Sequence, residues 1–172
     1  MSSDAFFIRK SRPVTAVVEA SYIRPANTTA YVAGQVLANS TTAATSLTFA
    51  NAAREPGLGG IIQGAIMYCS AAPTLKPDVE LYLFDTSIGM QNDGVAWSPS
   101  NAALKTCLGR IRFSPGLFNV GSANGVVDVD SIGKSFKCLA NSKDIYGVCV
   151  MRNAYVPTSG NEFLFRLLII QD

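Results

Sequence analysis

Histidine is absent from all 172 residues of this chain, and with it go the commonest general base and the commonest metal ligand. Ser-His-Asp, Cys-His and His-zinc schemes are excluded on residue type alone. Carboxylates remain for acid–base work, and Glu80, Asp85, Asp128 and Asp130 are the candidates for a glycosidase-type pair. Asp85 closes an apolar run, where it is placed to line a cleft, but no spacing fixes a second acid beside it. The expectation is a chain that is not an enzyme, with no catalytic residue, no cofactor and no resident metal.

The other reactive strings are as weak. Cys69, Cys107, Cys138 and Cys149 stand at wide spacings with no pair at the two-residue gap of a redox or zinc motif. Cys69 and Cys149 fall inside apolar runs, so reduced, buried thiols are expected. Gly133-Lys134-Ser135 resembles the end of a phosphate-binding loop, but the required upstream glycine is replaced by Asp128, whose charge repels phosphate. Asp128-Val129-Asp130 lacks the further acidic positions of a calcium loop and reads as a solvated turn. Asn27-Thr28-Thr29 and Asn39-Ser40-Thr41 match the glycosylation sequon. Without a secretion signal ahead of them, they are expected not to meet that machinery.

Composition narrows the class. The chain is 48% hydrophobic and only 15% charged, against about 25% charged in ordinary globular chains. Such a chain has either an unusually large core or a surface partly covered by a partner. Fourteen Lys and Arg against 12 Asp and Glu leave +2, too little to imply nucleic acid. No apolar run approaches the ~20 residues of a membrane-spanning helix. The first ten residues lack the charged-then-apolar order of a secretion signal, so synthesis and folding in a cytoplasm are expected.

The elements that must position these residues read as strands. Residues 61–68 and 79–85 are β-branched and aromatic runs separated by Pro73 and Pro77, expected to neighbour each other in one sheet. Further strands are predicted over 14–22, 31–38 with Gly34 as a bulge, around Leu47 and Phe49, and over 108–113, 126–127 and 134–139. Residues 145–152 and 162–170 flank a Pro, Ser, Gly and Asn turn and are expected to form an antiparallel hairpin. The second of these is apolar on both faces except at Arg166, which places it in the middle of a sheet. Ser98-Pro99-Ser100 offers a Ser cap with Pro at the first helical position, so one short helix is predicted there. The fold class is all-β: an antiparallel β-sandwich, jelly-roll-like, with at most one short helix. Residues 1–12 are an arm and 13–172 a single sandwich domain.

Several of these strings also carry a resemblance. The run 31–36 (Tyr-Val-Ala-Gly-Gln-Val), Gly59-Gly60-Ile61-Ile62, and the run 76–85 (Lys-Pro-Asp-Val-Glu-Leu-Tyr-Leu-Phe-Asp), followed by a loop and Trp97-Ser98-Pro99-Ser100, resemble tailed-bacteriophage head decoration (cement, auxiliary capsid) proteins. It is a resemblance of texture and order over residues 22–113. It implies a small sandwich that sits on the outer capsid as a homo-oligomer, dimer or trimer, and bridges major capsid subunits to stabilise the head. The implied partners are the major capsid protein and other copies of the chain, without nucleic acid or membrane. The implied location is the virion head surface.

The arm supplies the candidate contacts. Phe6, Phe7 and Ile8 are three apolar residues in a row on a chain end, followed by Arg9, and these four are the expected partner-binding residues. A function of another class, a carbohydrate-binding module for host-surface attachment, would need exposed stacking aromatics, with Tyr22, Tyr31, Trp97 and Tyr155 as the candidates.

Overall fold

The computed structural model describes residues 13–72, 74–121 and 123–172. Among these, alternation along β1 (Val14–Ile23) turns Val18 and Tyr22 inward and Val17, Glu19 and Ser21 outward. β1 is the edge of a six-stranded antiparallel sheet. It pairs with β11 (Glu162–Gln171), which pairs with β4 (Gly59–Cys69). β4 pairs in turn with β8 (Gly125–Val129) and β9 (Lys134–Lys137), and β8 with β7 (Asn119–Val120). The second sheet places β10 (Ile145–Met151) between β5 (Val79–Phe84) on one side and the short β2 (Val36–Leu37) and β3 (Leu47–Phe49) on the other. β6 (Cys107–Phe113) completes it beside β5.

Setting aside the short β7 and β9, successive strands mostly change sheets, and β5 and β6 are the full-length sequential pair that shares one. With β2 and β3 counted as one broken strand, the two sheets have the interleaved order of a jelly roll. The fold class expected from the sequence is therefore the one found. Between the sheets lies a core built on Phe49, Phe113, Phe163 and Phe165, with Met67, Leu81 and Leu83. The Tyr22 hydroxyl spans it to donate to the Leu37 carbonyl at 2.8 Å.

Two expected pairings are corrected. β4 and β5 are not neighbours: residues 70–78 carry the chain from one sheet to the other, and β4 pairs with β11 while β5 pairs with β10. β10 and β11 likewise sit in different sheets, so the turn at 152–161 is a crossover and not a hairpin. In both cases the connection spans nine or ten residues, where tight hairpin loops hold two to five. The expected strand over 31–38 shrinks to Val36–Leu37, because Gly34 adopts φ 92° and bends the chain. Tyr31 and Gln35 keep only isolated bridges to Tyr155 and Ala96. The short helix is present as α1 (Asn101–Lys105), but its cap is Ser100, whose Oγ accepts from the Ala103 N–H at 3.1 Å, so Pro99 precedes the cap. β11 is an inner strand, as its apolar pattern required.

Candidate protein-docking face

The outer surfaces of the two sheets are treated differently. On the second sheet, outward-facing Val36, Phe84 and Val148 form a minor core. The chain's own loops cover it, bringing Ile88, Met90 and Trp97 against Tyr82 and Tyr146. The covering loop is tied down by Asp93, which accepts from the Tyr31 hydroxyl at 2.5 Å, the Ala38 N–H at 2.9 Å and the Arg24 guanidinium at 3.0 Å. Arg24 also donates to the Tyr31 hydroxyl and lies over that ring at 4.8 Å.

No such layer is described over the six-stranded sheet. Strand register sets its outer face in rows: Thr15, Ile170, Ile61 and Ser135; Val17, Leu168 and Gly64; Glu19, Arg166, Ile66 and Asp128; Ser21, Leu164, Tyr68 and Val126. Most of these side chains are large and apolar. Val17 and Ile23 are each 64% exposed, and Leu164, Leu168, Ile170, Ile66 and Tyr68 are half-buried. A solvated sheet face ordinarily alternates to polar residues. The Glu19–Arg166 pair across the middle, at 3.0 Å, neutralises itself. Three strands of ten or eleven residues, with β9 and β8 side by side along β4 as the fourth, at about 3.4 Å per residue and about 4.8 Å between strands, present about 650 Å². That approaches the ~800 Å² each partner gives to a standard interface.

One place on this face is concave. β4 carries an extra residue opposite the Leu168–Ile169 step, and Gly64, without a side chain, stands opposite Leu168. The result is an apolar dent of about 240 Å³ bounded by Thr15, Val17, Gln63, Leu168 and Ile170.

The residues singled out in the sequence fall elsewhere. Phe6, Phe7, Ile8 and Arg9 lie outside the described residues. The stacking platform is not assembled: Tyr22, Tyr31 and Tyr155 are buried, and Trp97 packs on Tyr82 with ring centres 6.0 Å apart. Burial holds the Tyr22, Tyr31 and Tyr155 hydroxyls well above the ordinary tyrosine range, with Asp93 adding to the effect at Tyr31. Of the acids, Glu80 is buried and bridged by Arg110 and Arg152, while Asp128 and Asp130 are exposed. Asp85 ends β5 with its Oδ1 buried and unpartnered. Among the described residues no cluster of three or more Cys, Asp or Glu is arranged to hold a metal ion. No helix among them is long and apolar enough to cross a membrane. Cys69, Cys138 and Cys149 are buried free thiols, and burial pushes Cys149 up to about 12 and Cys138 to about 11.

The apolar outer face of the six-stranded sheet was not singled out in the sequence. Its signal was the apolar character of 162–170 on both faces, which indicated an inner strand but also a second surface in need of cover.

No family model and no curated protein matches this chain. Among solved structures, a chain in the structure of Triatoma virus is similar over 89% of this chain and 63% of its own length, at 10% identity and a TM-score of 0.26. This chain thus spans less than two thirds of that one, and a TM-score so low does not define a shared fold.

Proposed function

We propose that this chain is a structural virion protein, without enzymatic activity, that binds the outer surface of a phage head and bridges major capsid subunits. The single observation that supports this reading best is the apolar face of the six-stranded sheet, which no layer of the described residues covers. Jelly rolls serve as capsid components, lectins and cupins, so the fold alone chooses nothing. The face is broad, nearly neutral and apolar, which suits a protein partner better than a glycan, and of the aromatics a glycan would need, Tyr22, Tyr31 and Tyr155 are buried and Trp97 packs on Tyr82. A clip that binds only assembled subunits stabilises the shell by mass action. Phe6, Phe7, Ile8 and Arg9 are proposed as a second anchor.

The test is titration of full-length protein onto phage heads assembled without it, followed by sedimentation and a thermal ramp that reads genome release. Saturable co-sedimentation with a higher release temperature is expected. Heads that neither bind the protein nor change their release temperature would overturn the reading.

A further inference from the structure

We propose that the dent beside Val17 receives a phenyl ring from the N-terminal segment of a second copy of this chain, Phe6 or Phe7, so that copies are joined by exchange of their arms. This inference rests on reading residues 1–12 as an anchor, and it requires no capsid.

Size and chemistry fit first. An apolar cavity of about 150 Å³ holds benzene, so about 240 Å³ open on one side admits a phenyl ring with its Cβ. The walls are Val17, Leu168 and Ile170, and the polar groups at the rim, Thr15 and Gln63, leave the centre apolar. A larger cleft on the other side of β1 is bordered by Glu19, Arg54, Lys143 and Gln171, which suits a polar occupant and not a phenyl ring.

The length and position of the remaining chain fit as well. Residues 1–12 precede Pro13, and β1 begins at Val14, one position before the rim residue Thr15. Phe7 stands six positions before Pro13, a reach of about 20 Å when extended.

The sequence of the link argues for a second copy over the chain's own dent. To fill its own dent, the chain must reverse between Ile8 and Val14; of the turn-forming types the link Arg9-Lys10-Ser11-Arg12-Pro13 holds Ser11 and Pro13, but it has no Gly or Asn for a left-handed turn position. Arg12 precedes a proline and is biased to extended backbone. Arg9, Lys10 and Arg12 repel one another, which extends the link further. On this proposal the link runs on from β1 and carries the phenyl groups to a neighbour, and reciprocal exchange closes a small symmetric oligomer.

The experiment uses the full chain without heads. Phe7 is replaced by the photo-reactive residue benzoylphenylalanine, this variant is mixed with uniformly 15N-labelled wild-type chain and irradiated, and the cross-linked peptides are read by mass spectrometry. Cross-links joining unlabelled to labelled chains, with acceptors among residues 15–17 or 168–170, are the expected result. Val17→Asp in the labelled acceptor should lower their yield at least fivefold while leaving its melting temperature unchanged, since Val17 is largely exposed. Cross-links confined to one copy, cross-links landing elsewhere on the second copy, or a yield indifferent to Val17→Asp would each overturn the proposal. Heads that fail to bind a chain still making these cross-links would overturn the capsid reading alone.

Discussion

Arg24 and Asp93, 69 positions apart, meet at 3.0 Å with side chains 0% and 4% exposed. This pair anchors the loop that covers the second sheet to the end of β1. It thereby closes one side of the sandwich with the chain's own loop, a cover that no described residue gives the other side.

Asp93→Ala removes the acceptor of Tyr31, Ala38 and Arg24 together and leaves the guanidinium buried without its counter-charge. Breaking a buried pair in this way costs about 3–5 kcal/mol. Urea unfolding should show a loss of that size; a loss under about 1 kcal/mol would mean that Arg24 finds water or another acceptor.

Alkaline pH should destabilise the fold. Tyr22, Tyr31, Tyr155, Cys138 and Cys149 all hold their protons to higher pH when folded, because burial disfavours the charged form. Their contribution is fully present below the unfolded-state values and drains as pH rises through them, since the unfolded chain then releases protons the folded chain retains. The melting temperature should be level near pH 8 and fall from about pH 9 upward, near the ordinary thiol value. A melting temperature unchanged to pH 11 would contradict the burial assigned to these groups.

Thiol reactivity follows the same burial. Cys107 is partly exposed, whereas Cys69, Cys138 and Cys149 are buried. A thiol reagent at pH 8 should modify Cys107 first in the native protein and the other three only on unfolding. Equal rates at all four would contradict the core described above.

The sequence disclosed the strands better than their partners. β1, β4, β5, β10 and β11 are legible because β-branched and aromatic runs end at Pro, Gly and Asn, and the inner position of β11 follows from its two apolar faces. The sheet to which each strand belongs is not a local property. Residues 70–78 and 152–161 look like turns whether they close a hairpin or cross a sandwich, and only the competition among all strands for partners decides. The candidate site was legible in type and not in place: charge scarcity pointed to a covered surface, but the apolar run conspicuous in the sequence is Phe6, Phe7 and Ile8. The apolar residues outward from β11 and β4 become a surface only once register sets them in rows. Buried anchors such as Arg24 and Asp93 carry no local signal, since each stands alone in its loop.

Gly59 and Gly60 open β4 where backbones crowd together. A Cβ at Gly59 would lie 2.0 Å from the Phe136 carbonyl oxygen, so Gly59→Ala must push β9 away. A loss of about 1–3 kcal/mol is expected. Gly89→Ala, with open space around it, should stay within about 0.5 kcal/mol of the parent. Equal unfolding midpoints for the two variants would contradict the β4–β9 pairing.

The central claim is that the uncovered face of the six-stranded sheet docks onto a phage head. Its most direct measurement is co-sedimentation of heads lacking this protein with the full chain and with a double variant, Ile23→Asp and Val126→Asp, both at exposed positions on that face. Two charges placed in an apolar interface should cost about 2–3 kcal/mol, weakening binding by about 30- to 150-fold while the melting temperature stays within about 2 °C of the parent. Undiminished binding of the folded double variant would contradict the account.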